Sequence, residues 1–177
     1  AAATAPTADT LRQHDLAPLP DLDVRVIEMP EIHRGVAVAY CDAPGPLETA
    51  DVPTYVAVAP APSSWDAERV ASFYREYNGV QLHDLAIHEA MPGHVLQLAH
   101  AQRLVSPTTV RRFGRSGVFV EGWAVYAEQL MIDRGYAPSS EPDAGLALRL
   151  QALKMQARGA INAILDAPGA VVTTSTK

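Results

Sequence analysis

Residues 88–94 read His-Glu-Ala-Met-Pro-Gly-His, and no other stretch of the chain says as much about its chemistry. Two imidazoles with a carboxylate beside the first are parts of a zinc site that activates water. In the usual zinc-protease helix the histidines are four residues apart, about 40° around the axis, so they share one ion. Here they are six apart, and a straight helix would turn His94 about 120° away from His88. The spacing therefore predicts a deformed metal-binding helix.

The Pro92-Gly93 pair supplies a cause for the deformation. Proline lacks the N–H that would bond to the carbonyl of His88, and its ring clashes with that carbonyl, which favours a bulge or kink. Glycine tolerates the dihedral angles that a bulge requires. Taken alone, the pair also fits a helix end followed by a loop. We predict one helix from about Val80 to Leu104, distorted at Pro92.

A second acidic segment, Glu121-Gly-Trp-Ala-Val-Tyr-Ala-Glu128, begins 27 positions after His94. Its glutamates are seven residues apart, which is about 700° of helix, so both face one side. Buried carboxylates need cations or donors, and Glu89 and Glu121 stand among Ala, Leu and Val. This favours a metal site over ordinary polar residues on a kinked core helix.

These two segments also carry a family resemblance. The stretches HEAMPGHVLQ at 88–97 and EGWAVYAE at 121–128, with the spacing between them, resemble the bacterial family called domain of unknown function 885. Its members look like zinc-dependent peptidases of the gluzincin kind. They are distantly similar to the thimet oligopeptidases, which use two histidines and a later glutamate as ligands.

The resemblance implies a role for each charged residue of the two segments. His88, His94 and Glu121 would bind Zn²⁺, and Glu89 would be the catalytic general base that takes a proton from the attacking water. Glu128 would hold a ligand histidine in the right tautomer through its other ring nitrogen. The expected reaction is hydrolysis of a peptide or small amide substrate.

Tyr126, within the second segment, and His100, shortly after the first, are candidates for contact with the substrate. Tyrosines near apolar helices usually pack against their neighbours instead. His100 has no partner at a spacing that would make it a ligand. For both residues, a structural role stays open beside the functional one.

The resemblance covers roughly residues 24–166, and family members are much longer, so we expect an internal fragment of a larger helical gluzincin-like fold. The segment ending at Asp166 resembles a family helix that a glycine and a histidine follow. Here an atypical tail, residues 167–177, follows without a histidine. Two alternatives to a peptidase therefore stay open. One is a catalytically inactive fragment whose metal-binding helix persists as structure, and the other is a metal-dependent amidase or esterase.

The composition is compatible with one domain. The chain has 177 residues, of which 48% are hydrophobic and 19% charged, enough for a core. A net charge of −6 gives no reason to expect nucleic acid or an anionic membrane as partner. No apolar run reaches the roughly 18 residues of a membrane span. The start of the chain lacks the features of an export signal, so we expect a cytoplasmic location. The oligomeric state stays undetermined.

The sequence predicts an α+β fold, mainly α with a small antiparallel β-sheet. Residues 1–22 are rich in Ala and Pro and are expected to be loosely held, with a short helix near Thr10–His14, ahead of a partial catalytic domain over 23–166. β-Branched runs predict strands at Val24–Glu28, Gly35–Cys41 and Thr54–Ala59. The sheet is either a scaffold or, as the resemblance implies, the source of an edge strand that pairs with the substrate backbone.

Helical periodicity begins after residue 63. Ser63 or Ser64 would cap the first helix, and the Asn78-Gly79 pair would end it. Leu146, Leu150, Leu153 and Ala157 are predicted to form the apolar stripe of the last helix. Besides the metal-binding helix, we predict helices at Trp65–Tyr77, at 108–115, at Val118–Arg134 and at Pro142–Asp166.

Overall fold

The computed structural model describes residues 4–35, 37–103, 108–114 and 116–165. The predicted α+β fold class is confirmed, since helices predominate and three strands form one sheet within these residues. The atypical tail and the predicted helix ends at Leu104, Arg115 and Asp166 lie outside the described residues. The elements in chain order are α1 (Thr4–Gln13), β1 (Val24–Glu28), β2 (Ala39–Asp42), β3 (Thr54–Val58), α2 (Ala67–Glu76), α3 (Gly79–Glu89), α4 (His94–Arg103), α5 (Thr109–Phe113), α6 (Gly117–Asp133) and α7 (Ala144–Leu165).

The sheet is mixed, which corrects the prediction of an antiparallel one. Its order is β1-β3-β2, with β3 parallel to β1 and antiparallel to β2. The alternation of apolar side chains is the same in either strand direction, so the sequence pattern could not distinguish them. In this strand order β2 is an edge strand, and it lies beside α3.

The N-terminal lead contains a longer helix than predicted. Helix α1 begins at Thr4 and packs against α3. Thr7 and Leu11 are fully buried, and Leu11 belongs to the main core. The segment that we expected to be loosely held is therefore packed on the domain over residues 4–13.

The segment that we predicted to bind metal is two helices, so the predicted single distorted helix is wrong. Helix α3 ends at Glu89, and its C-cap Ala90 has non-helical dihedral angles of φ −110° and ψ −96°. The last turn widens before it breaks. The Met91 N–H donates to the Ala86 carbonyl at 3.1 Å, five residues back, and the Gly93 N–H donates to the Ile87 carbonyl at 2.9 Å, six residues back.

Gly93 is required by a close approach of backbone to backbone. A Cβ added at this position would lie 1.7 Å from the carbonyl oxygen of His88 and 2.4 Å from that of Ile87. The glycines with positive φ among the described residues are Gly35 and Gly135, so a positive φ is not the reason for Gly93. The chain turns between α3 and α4 in a space that only a residue without a side chain fits.

The break is held from two sides. On one side Val56 of the sheet forms a small buried cluster with Ala90 and Val95, which flank the break. On the other side the indole N–H of Trp123 in α6 donates to the Pro92 carbonyl at 2.8 Å. The relative directions of α3 and α4 are thereby fixed by contacts with the sheet and with α6.

The main core surrounds α3, which packs against α1, α6 and α7. Helix α7 contributes Leu148 and Ala152 to it. The predicted stripe of α7 faces the other way, because Leu146, Leu150 and Leu153 are each more than half exposed. Apolar residues occupy two faces of this helix, and periodicity alone did not show which face meets α3. Among the described residues, no helix combines the length and apolar character needed to cross a bilayer.

Side chains cap the N-termini of α2 and α3, and one of the two caps differs from the prediction. The side chain of Asp66, rather than Ser63 or Ser64, caps α2 by accepting from the Arg69 N–H. Asn78 caps α3, accepting from the N–H groups of the two residues after Gly79. These caps fix where α3 begins and hence which of its residues face α6.

Candidate metal centre

The two histidines converge because the chain breaks between them. His88 lies in the last turn of α3, and His94 is the first residue of α4. Their ring centroids are 4.8 Å apart and the ring planes are perpendicular. Ligand atoms of His88, Glu89 and His94 lie within 4.8 Å of one another. The break therefore removes the separation of about 120° that a straight helix would impose.

Glu121 of α6 completes a set of three donors. Its Oε2 atom lies 3.6 Å from Nε2 of His88 and 3.6 Å from Nε2 of His94. Tetrahedral zinc with bonds of about 2.0–2.1 Å keeps its donors about 3.3–3.4 Å apart. Both nitrogen–oxygen distances are close to this separation, and two imidazole nitrogens with a carboxylate oxygen are donors that zinc prefers. The Glu121 side chain is 66% exposed, so the centre opens to solvent.

Glu128 contacts the opposite nitrogen of the same imidazole. The Nδ1–H of His88 donates to Oε1 of Glu128 at 2.6 Å, and Glu128 is buried. A carboxylate on Nδ1 fixes the tautomer that leaves Nε2 free to bind a metal. Glu121 and Glu128 both reach His88 because they stand seven residues apart on one face of α6.

Burial and charge act differently on the two histidines. For His94, burial and the charge of His88 lower the pKa, which favours the neutral form that metals bind. For His88, burial acts to lower the pKa, but the hydrogen bond and charge of Glu128, with the charges of Glu89 and Glu121, raise it overall. The carboxylates that favour a proton on His88 also favour a metal cation at the same place.

Glu89 has the environment of a proton acceptor. It is buried, and burial together with the charge of Glu121 raises its pKa, while His88 and a hydrogen bond from the backbone of Cys41 oppose the rise. A raised pKa makes a carboxylate a better base near neutral pH. Glu89 thus lies beside the three donors, held by the edge strand β2 through the Cys41 N–H.

An open pocket of about 490 Å³ lies in front of the donors, between β2 and α6. Ala39, Tyr40 and Cys41 of β2 form one wall, and Val120 and Glu121 of α6 form part of the other. β2 is an edge strand, and its residues 39–41 face the candidate metal centre across this pocket. An exposed strand edge is suited to bind an extended peptide by main-chain hydrogen bonds.

The structure does not bring Tyr126 or His100 to the donors. Nε2 of His100 lies 2.9 Å from the Pro18 carbonyl, and Tyr126 is half exposed beside Trp123. His100 is six residues after His94, about 120° around α4, and Tyr126 is five after Glu121, about 140° around α6. Helical phase alone accounts for both positions.

Sequence reasoning missed Asp84, which is buried in α3 one turn before His88. Burial and the charge of Glu128 raise the pKa of Asp84 to about 7. Its Oδ1 atom has no hydrogen-bond partner among the described residues. A signal was present, because a residue four positions before His88 lies about 40° from it on the same helix face. The contact of the Cys41 N–H with Glu89 had no such signal.

Two solved structures resemble the chain. A protein from Shewanella oneidensis, provisionally described as a lipoprotein of unknown function, is 35% identical over 93% of this chain, with a TM-score of 0.70. A protein from Colwellia psychrerythraea, provisionally described as a lipoprotein, is 22% identical over 87% of this chain, with a TM-score of 0.59, and shows likeness of fold alone. This chain spans 27% and 23% of the lengths of those two proteins.

Among curated proteins none matches the chain. The profile of the family described as "Bacterial protein of unknown function (DUF885)" matches residues 1–168. The match includes both histidines of the α3–α4 break and both glutamates of α6. The chain therefore belongs to the bacterial protein family of unknown function DUF885.

Proposed function

We propose that the chain carries the metal centre of a zinc-dependent hydrolase that cleaves peptide bonds. The observation that carries the proposal is the position of Glu121, whose Oε2 atom is equally far, 3.6 Å, from Nε2 of His88 and of His94. Two histidines and one glutamate are a ligand set of catalytic zinc sites, which keep a further position open. The exposure of Glu121 agrees with an open position on the solvent side.

In this proposal Glu89 moves the proton. Zinc bound by His88, His94 and Glu121 would polarise the scissile carbonyl and make a nearby water more acidic. Glu89 takes the proton from the attacking water and passes it to the leaving amine. Its burial favours the uptake, and the Cys41 N–H keeps the carboxylate in place.

The edge of β2 favours a peptide over the alternative of a small amide or ester. An extended peptide that pairs with β2 would lie along the wall of the 490 Å³ pocket and pass the three donors. A small amide or ester is too short to lie along this edge. Turnover also depends on cleft walls that a longer relative would supply, so zinc binding is the property to test first.

The test is zinc binding, measured by elemental analysis after reloading and by competition with a chelator. We expect one zinc per chain in the wild type. In His94→Ala we expect affinity to fall by more than about 100-fold, because loss of a ligand costs more than loss of an outer partner. His14→Ala, an exposed histidine outside the centre, serves as control and should bind zinc as the wild type does. A wild type that binds no zinc would end the proposal.

Glu128→Gln tests the orientation of His88. The amide keeps the size of the side chain but weakens the hydrogen bond to Nδ1 and removes a buried charge. Zinc affinity should fall by about 10–100-fold, as for other groups that orient ligand histidines. The control is Glu68→Gln, which removes an exposed charge from α2. Equal losses in both variants would assign the effect to net charge instead of to the contact with His88.

A further inference from the structure

A second pocket adjoins the metal centre. It measures about 620 Å³ and lies between α3, α6 and α7, with β2 at one side. His88 and Glu89 line both this pocket and the one in front of the donors. A substrate bound at the metal centre could therefore extend one side chain into it. Its volume lies within the range of about 300–1,000 Å³ that is usual for ligand pockets.

The pocket combines apolar walls with buried acids. Val38, Leu85 and Met155 are among the apolar residues that line it, and so are Asp84 and Glu128. Both acids are more than nine-tenths buried. Oδ1 of Asp84 and Oε2 of Glu128 have no hydrogen-bond partner among the described residues. Such oxygens are costly to bury unless a donor or a cation reaches them.

The nearby cations of the described residues are directed elsewhere. Lys154 and Arg158 of α7 pair with Glu76, at 3.7 and 2.5 Å. Within the part of the chain that the structure describes, neither a lysine nor an arginine lines the pocket. His88 is engaged through its Nδ1–H with the other oxygen of Glu128. Oδ1 of Asp84 and Oε2 of Glu128 thus receive no donor from these cationic side chains.

We propose that this pocket binds the side chain of a lysine or arginine next to the scissile bond, and so sets the substrate class as peptides with a basic residue at that position. The proposal rests on the proposed peptidase function. The aliphatic part of the side chain packs on the apolar walls, and its terminal cation pairs with Asp84 and Glu128. A guanidinium has five N–H donors, enough to bond both carboxylates at once.

The test compares binding of two neutral-ended pentapeptides that differ only at the central residue, arginine or citrulline. Citrulline has nearly the same shape as arginine but no charge. Affinities are measured by calorimetry or by nuclear magnetic resonance titration on the zinc-free protein and on zinc-loaded Glu89→Gln, which lacks the proposed base and so leaves the peptide intact. We expect the arginine peptide to bind at least 10-fold more tightly, because a paired buried cation is worth more than about 1.4 kcal/mol.

Asp84→Asn should abolish this preference, while Asp143→Asn, which removes an exposed charge at the start of α7, should keep it. Folding is checked by thermal unfolding at pH 8. At this pH Asp84→Asn should be at least as stable as the wild type, because the substitution removes a buried charge whose Oδ1 atom has no hydrogen-bond partner among the described residues. Equal affinities for the two peptides in the wild type would overturn the proposal, and so would a preference that survives in Asp84→Asn.

The two proposals fail in different ways. If the zinc-bound protein cleaves peptides but does not prefer arginine over citrulline, the proposed role of the pocket is wrong and the proposed peptidase function is supported. A preference for arginine in a chain that binds no zinc would support the pocket as a cation site and overturn the peptidase. If Asp143→Asn also abolishes the preference for arginine, the preference comes from the overall charge of the protein. That result would count against the pocket.

Discussion

Replacing Gly93 by alanine is expected to destroy the candidate metal centre and to destabilise the fold. The new Cβ would lie 1.7 Å from the His88 carbonyl oxygen, and the atoms it meets belong to the backbone, which cannot swing aside. The end of α3 and the start of α4 must then move apart. We expect the free energy of unfolding to fall by about 3 kcal/mol, the upper part of the usual range for overpacking. Zinc affinity should be lost, because His88 and His94 flank the junction.

Urea unfolding and zinc competition measure these effects, and Gly122→Ala is the matched control. Gly122 lies within α6, and no described atom outside its own helix lies within 4 Å of a Cβ added there. Alanine in a helix interior is more stable than glycine by about 0.5–1 kcal/mol, so this variant should gain stability. If Gly93→Ala is as stable as the wild type and binds zinc as tightly, residue 93 does not lie as close to the His88 carbonyl as described.

Glu89→Gln is expected to abolish most peptide hydrolysis while the chain keeps its zinc. Glutamine matches glutamate in size and can still accept a hydrogen bond from the Cys41 backbone, but it cannot take a proton. Loss of a general base typically costs about 10²–10⁴-fold in rate. Turnover is measured with a fluorescence-quenched peptide containing arginine, at saturating zinc, and the metal content is measured on the same samples.

Two results would contradict this assignment. If Glu89→Gln loses zinc together with activity, Glu89 is a ligand, which its position among the donor atoms also allows. If the variant hydrolyses the peptide at the wild-type rate, Glu89 is not the base. A zinc-loaded wild type without turnover would favour the alternative of an inactive fragment with a structural metal site. Glu68→Gln again serves as the control for a lost surface charge.

The parts of the site that helical phase determines could be predicted from the sequence. Glu121 and Glu128 stand seven residues apart, and in the structure they contact the two nitrogens of one imidazole. The six-residue spacing of the histidines excluded a straight helix, and Pro92 marked where it would fail. The sequence did not distinguish a bulge from a break, because that choice depends on the packing of Gly93 against the His88 carbonyl and on the sheet below it.

Features that depend on distant segments could not be predicted. The direction of β1 relative to β3 is set by the path of the chain, which the strand pattern does not record. The exposed leucines of α7 and the buried Leu148 are equally apolar in sequence, and only the positions of α3 and α6 separate them. Zinc, a peptide substrate, the cytoplasmic location and the absence of nucleic-acid or membrane partners stay predictions.

The bond between the Trp123 indole and the Pro92 carbonyl gives the protein an optical reporter of its own. Trp123 lies two residues from Glu121 in α6, and its partner Pro92 lies two residues from His94. The other tryptophan, Trp65, lies under the guanidinium of Arg69 at 4.2 Å from its ring centroid, in a segment outside both pockets. Indole emission depends on hydrogen bonding and local polarity, so the light emitted by Trp123 reports on the junction during a zinc titration without any added dye.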